Sequence, residues 1–172
     1  VDSLLQNGAK KVYSVDTSYG ELAWKLRNDP RVVVMERTNA MHIDLSNAQS
    51  ATLAPTATPS VKPTSQALQI SQVKMDIITI DTGWTKQGKV IPNALKNLKE
   101  NGVIISLIKP QYEAAAPLHR ITNYELRIMN EILEKVKQDI QRVGGVVEKI
   151  VESPITGKRA GNKEFLALIR RK

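Results

Sequence analysis

Apolar residues along this chain fall into short β-branched runs, separated by stretches whose apolar positions recur with helical spacing. Residues 11–16 (KVYSVD) read as a strand ending in a carboxylate, and residues 31–35 (RVVVM) as a second strand. The continuous apolar character of the second predicts burial on both faces. Between them Ser18 and Glu21 have the spacing of a capping box, which predicts a helix running to about Asn28. Residues 76–81 (DIITID) form a third strand, again ending in an acid. Ile91, Ala94, Leu95 and Leu98 share one helical face, with Pro92 expected near the first turn and Gly102 past the end. Residues 103–109 (VIISLIK) make a strand that closes on a lysine. Thr122 and Glu125 form a second capping box, and the helix after it carries Tyr124, Ile128, Ile132, Val136 and Ile140 on one stripe before stopping at Gly144 and Gly145. Strands at 146–151 and 164–170 are joined by a loop too short for a helical crossover, so this pair should be antiparallel. The order β-α-β-β-α-β-α-β-β predicts an α/β fold with a mostly parallel, helix-covered sheet.

One stretch breaks the alternation. Residues 45–72 are rich in Ser, Thr, Ala, Gln and Pro, with Pro55, Pro59 and Pro63 spaced against both helix and sheet. Strand and helix resume unchanged after it, so it reads as a flexible surface insertion and not as a domain boundary. Residues 1–172 are then one α/β domain, which the length comfortably supplies with a core.

Composition narrows the function classes. The net charge of +8 favours a polyanionic partner, of which nucleic acid is the commonest, against the plainer alternative of a basic surface. The chain has no cysteine, which excludes disulfides, thiolate zinc sites and cysteine nucleophiles. No apolar run approaches the roughly 20 residues of a membrane span, and no basic-then-apolar leader opens the chain, so a cytoplasmic protein is expected.

Ligands of open α/β sheets bind beyond the carboxyl ends of the strands, where Asp16, Asp81 and Lys109 should point. Asp16 suits a ribose-hydroxyl acceptor, although a carboxylate approaching a helix start looks the same in sequence. Asp81 has the same two readings, and Lys109 is either a site residue or a lysine snorkelling from a strand end. His42 and His119 have no partners at ligand spacing, so no metal site is expected.

The stretch LLQNGAKKVYSVDTSYGELAWKLRNDPRVVVMERTNA resembles the first half of the catalytic domain of FtsJ-like RNA 2′-O-methyltransferases of the hemolysin A (TlyA) type. IITIDTGW, VIISLIKPQYEA and SPITGKRAGNKEFLALIR resemble that family's later motifs, in the same order, so the resemblance spans nearly all of the chain outside the insertion. It implies a Rossmann-like class I methyltransferase sheet with an antiparallel C-terminal strand, S-adenosyl-L-methionine as cofactor, and ribose 2′-O-methylation of ribosomal RNA. The family's Lys-Asp-Lys-Glu tetrad carries over at Asp81, Lys109 and Glu164, whereas its first lysine has no counterpart. The family's cofactor-contacting residues match Asp16 and Asn39, with Asp81 facing the cofactor too, although Asn39 also reads as a loop-capping amide.

A 2′-hydroxyl is a poor nucleophile and needs a group that draws or holds its proton while the methyl moves in line. Lys109 would serve as that base or, protonated, would steer the hydroxyl oxygen while the carboxylates hold it. Trp84 replaces a phenylalanine common in the family and stacks on a base, stacks on the cofactor's adenine, or packs in a wall. Lys158, Arg159 and Lys163, with Arg170, Arg171 and Lys172, are candidate RNA phosphate contacts or a solvated basic face. The family's glycine-rich loop and first strand should precede Val1, which is expected to leave the sheet without its first strand. The competing function is a non-catalytic RNA-binding or assembly module that kept the fold. The membrane toxin suggested by the hemolysin label lacks any long apolar segment to support it.

Overall fold

A computed structural model describes residues 1–45, 73–114, 126–155 and 162–172. The proposed insertion at 45–72 lies outside these residues, except for Leu45, which is buried. The second capping box at Thr122 and Glu125 lies outside them as well. The chain divides into two compact units, Val1–Lys74 and Met75–Lys172.

The first unit contains helix α1 (Asp2–Gln6), strand β1 (Val12–Val15), the short helix α2 (Trp24–Arg27) and strand β2 (Val32–Met35). The two strands pair in parallel, Val12 opposite Val32 and Val15 opposite Met35. Leu5 and Val12 are buried, but all four residues of β2 are only half-buried, so burial on both faces does not hold within this unit. The helix expected from Ser18 does not form either. Ser18 spends its N–H and its hydroxyl on Asp16 Oδ1, at 2.8 and 2.7 Å, and not on a helix start. Gly20 then turns through a left-handed φ of 82° and donates its N–H to Glu36 at 2.7 Å. Helix begins only at Trp24.

The second unit is built on a four-stranded sheet of order β3-β4-β6-β5, comprising β3 (Met75–Ile80), β4 (Leu98–Ile108), β5 (Gly145–Glu152) and β6 (Phe165–Arg171). β3 and β4 are parallel, and β6 runs antiparallel to both of its neighbours, as the short final loop requires. Helices α3 (Gln87–Asn97) and α5 (Leu126–Arg142) pack on one another, α3 against β4 and α5 against β5. The core between helices and sheet comprises Ile91, Leu95, Val136 and Ile140 from the helices and Ile104, Ile108, Ala167 and Ile169 from the strands. Period-two alternation along β4 buries Gly102, Ile104, Ser106 and Ile108 on that face. The stripe of α5 is shifted from expectation: Met129 is buried with Ile132, Val136 and Ile140, while Ile128 is half-buried.

Helix α3 also starts earlier than its local signals imply, so Pro92 lies inside it and not near its first turn. Leu98 and Gly102 already belong to β4. The cause is a cap from a distant part of the chain. The Glu113 carboxylate accepts the Gln87 N–H at 2.8 Å, satisfying one of the donors that a helix start leaves open.

Candidate active site

β3 and β4 run in parallel with Ile80 opposite Ser106, so both strands release the chain at the same end of the sheet. Asp81 follows directly on β3 and Lys109 directly on β4. Lys109 Nζ donates to Asp81 Oδ1 at 2.7 Å. The lysine side chain is 18% exposed and the aspartate 69%, so the lysine is largely covered while the aspartate faces outward. Lys109 keeps an extended backbone, φ −112° and ψ 95°, and Pro110 then opens the short helix α4 (Pro110–Glu113). A proline is well placed there, because its missing N–H is one the helix start would leave unbonded anyway.

Glu164 reaches the same end of the sheet from the other side. β4 and β6 pair with Ile108 opposite Phe165, so the antiparallel register puts Glu164 one step beyond the ladder, opposite Lys109. Its main-chain oxygen accepts the Ser153 N–H at 2.7 Å. Among the described residues the Glu164 carboxylate makes no ion pair, so of the three tetrad matches Asp81 and Lys109 are in contact and Glu164 is a register neighbour.

In the first unit, Asp16 follows β1 and is exposed. The Ser18 N–H and hydroxyl bonds hold its carboxyl below the usual aspartate range, so it stays an ionised acceptor. Asn39 is exposed and its Oδ1 accepts the Met41 N–H at 2.9 Å. It is thus a loop cap, and would meet a ligand through its side-chain NH2.

The basic candidates divide. Lys158 and Arg159 lie outside the described residues. Lys163 pairs with Glu152 at 3.1 Å and Arg170 with Glu148 at 2.8 Å. Arg171 donates to the main-chain oxygens of Leu95 and, at 3.1 Å, Leu98, and so covers the end of α3. Lys172 is exposed. Trp84, in the loop after Asp81, is 83% exposed. Its ring lies 5.1 Å from that of Tyr112, tilted by 43°. His42 is exposed and His119 lies outside the described residues, among which no cluster of side chains could hold a metal.

Sequence reasoning missed a buried polar group beside the pair. Ser106 donates to Gln87 Oε1 at 2.6 Å, and Gln87 Nε2 donates to the Leu107 carbonyl at 3.2 Å. Lys86 Nζ donates to the carbonyls of Glu113 and Ala114. Burial pushes the Glu113 carboxyl above its usual value, against the Gln87 N–H and the Lys86 charge. Two signals were available: a serine inside the apolar run VIISLI and a glutamate amid PQYEAAAP.

The mixed sheet, with β6 antiparallel among strands that otherwise run one way, defines an α/β class. The fold is shared with a provisionally assigned S-adenosylmethionine-dependent methyltransferase from Listeria monocytogenes, at a TM-score of 0.59 and 13% identity over 99% of this chain and 84% of that one. The pattern of FtsJ-like methyltransferases matches residues 1–171, and the chain belongs to that family. It is similar to the 16S/23S rRNA (cytidine-2′-O)-methyltransferase TlyA of Mycobacterium tuberculosis, 30% identical over 97% of this chain and 54% of that protein. It is also similar to a structure from Streptococcus thermophilus provisionally named a hemolysin, with a TM-score of 0.78 and 31% identity over 99% of this chain and 54% of that one. The chain spans about half the length of the curated relatives it matches. No helix among the described residues is long and apolar enough to cross a membrane.

Proposed function

We propose that residues 1–172 act as one S-adenosyl-L-methionine-dependent methyltransferase domain that methylates a ribose 2′-hydroxyl of ribosomal RNA, in the cytoplasm. The observation that carries this reading is the pair of Asp81 and Lys109, held at 2.7 Å where two parallel strands of an FtsJ-like methyltransferase end. The substrate comes from TlyA, whose activity on cytidine of ribosomal RNA makes a cytidine the first nucleotide to test. The net charge of +8 suits such a polyanion.

When bound, S-adenosyl-L-methionine supplies an electrophilic methyl group. In the first unit the exposed, ionised Asp16 would accept from the ribose hydroxyls, with Asn39 as a second contact; in the second unit Asp81 would be the cofactor-facing residue. Lys109 would hold the 2′-oxygen of the RNA for transfer, with Asp81 fixing the lysine in place. With the cofactor bound, the pair would take the hydroxyl proton, with the Asp81 carboxylate as its acceptor. Glu164, opposite Lys109 in register, closes the charged group from the β6 side. The exposed ring of Trp84 is placed to stack on a nucleobase. Lys158, Arg159 and Lys163 contact RNA phosphates, with Lys163 exchanging Glu152 for the RNA.

The test is transfer of a labelled methyl group from S-adenosyl-L-methionine to ribosomal RNA, followed by mass spectrometry of the nucleosides. A 2′-O-methylated nucleoside, lost in Lys109→Ala, is expected. RNA binding without transfer would replace this reading with the non-catalytic module.

A further inference from the structure

Three segments meet around the pair of Asp81 and Lys109, and one residue, Gln87, ties all three together. Gln87, 2% exposed, begins the helix that follows the Asp81 loop. Its side chain accepts from Ser106, which is fully buried and lies opposite Ile80, the residue just before Asp81. The same side chain donates to the carbonyl of Leu107, two residues before Lys109. Its main-chain N–H is taken by Glu113, which is 5% exposed and ends the helix that follows Lys109. Lys86 adds a second tie to that helix through the carbonyls of Glu113 and Ala114. The chain is therefore gripped on both sides of Lys109 by groups fastened to the loop that carries Asp81.

We infer that Gln87, Ser106 and Glu113 are positioning residues that set the reach of Lys109 toward Asp81. The inference rests on reading that pair as the reacting centre, but its first consequence is geometric. A hydrogen bond between two charged side chains depends on where each backbone is anchored, and misplacement of about 1 Å is enough to lose most of it. Buried polar groups of this kind need their partners, because an orphaned donor or acceptor costs more than the bond it made. Gln87 holds two adjacent residues of β4 through its side-chain carbonyl and NH2 and the end of α4 through its main-chain N–H, and an apolar side chain of the same size would lose the first two.

The experiment follows the side-chain nitrogen of Lys109 by NMR in the full chain labelled with 15N-lysine, with Asp81→Asn defining the signal of the broken pair. Gln87→Ala and the milder Ser106→Ala should move the Lys109 signal to or toward that of Asp81→Asn. Glu113→Ala should do the same, and Glu113→Gln, which keeps an oxygen for the Gln87 N–H, should restore the wild-type signal. Ile169→Val, a core change away from the network, should lower the melting temperature and leave the signal in place. A wild-type Lys109 signal in folded Gln87→Ala and Ser106→Ala would overturn the inference, as would failure of Glu113→Gln to rescue. In methyl transfer, the Ala variants should lose at least about tenfold in kcat with little change in KM for S-adenosyl-L-methionine. A wild-type chain that transfers no methyl group while its Lys109 signal responds as described would refute the proposed function and uphold the positioning.

Discussion

Lys109 reaches Asp81 at 2.7 Å, yet the lysine side chain is 18% exposed and its partner 69%. The asymmetry separates the two residues' contributions to stability and to chemistry. Removing Asp81 strands a mostly covered ammonium without its counter-charge, whereas removing Lys109 leaves a carboxylate that water already solvates. Asp81→Asn should therefore destabilise the fold by about 1 kcal/mol, and Lys109→Met should change stability less. If the pair handles the hydroxyl proton as proposed, both should lower methyl transfer by about 10²-fold or more. Thermal melting and single-turnover transfer on the same preparations check this. Equal destabilisation by the two changes would show that solvent already screens the pair.

Asp16 gives a pH dependence with a definite sign. The Ser18 main-chain N–H is the largest cause holding its carboxyl below the ordinary value of 3.8, and the Ser18 hydroxyl adds to it. An acid depressed in the folded state contributes stability that is complete above 3.8 and is lost as the pH falls through the lower folded value. Ser18→Ala keeps the main-chain donor and removes the hydroxyl, so the Asp16 titration should move part of the way back up. NMR titration of the Asp16 carboxyl in both proteins reads this directly. Identical titration curves would show that the hydroxyl plays no part in holding the carboxylate.

Two glycines should respond in opposite directions to alanine. A Cβ on Gly145 would lie 2.7 Å from Ile140 Cγ2 and 3.2 Å from Ile169 Cγ2, both in fully buried side chains. Gly145→Ala should cost about 1–3 kcal/mol through overpacking. A Cβ on Gly88 would meet Asp139 Cβ at 3.5 Å, an ordinary contact, within helix α3. Gly88→Ala should stabilise by about 0.5–1 kcal/mol by lowering the entropy of the unfolded chain. Chemical denaturation of both variants decides, and a neutral Gly145→Ala would show that the junction of α5 and β5 relaxes freely.

What the sequence revealed and what it hid follow from the range of the interactions involved. The strands were legible because β-branched runs such as VVV at 32–34 and IITI at 77–80 mark themselves locally. The antiparallel arrival of β6 followed from chain order and loop length. The start of α3 did not, because its open donor is satisfied by Glu113, far along the chain. The helix expected at Ser18 failed for a related reason: Asp16 and Glu36 take the N–H groups of Ser18 and Gly20 that a capping box would have organised. Asp81 and Lys109 could be named because each ends a readable strand. The bracing by Gln87 could not, since it depends on which side chains the sheet register brings together.

Trp84 provides the last prediction. A tryptophan that is 83% exposed contributes little to the core, and its contact with Tyr112 joins the loop after β3 to helix α4. Trp84→Ala should accordingly leave the melting temperature nearly unchanged. If the ring carries a nucleobase, its removal should weaken RNA binding by about 1–3 kcal/mol, the usual worth of one base stacked on an aromatic side chain. Trp84→Phe should keep most of that, because any aromatic face supports stacking. Affinity for S-adenosyl-L-methionine should stay the same in both variants, which distinguishes a base platform from a cofactor contact. Fluorescence anisotropy with a labelled ribosomal RNA fragment, alongside calorimetric titration of the cofactor, measures the two affinities separately. Unchanged RNA affinity with weakened cofactor binding would move Trp84 to the cofactor side of the site.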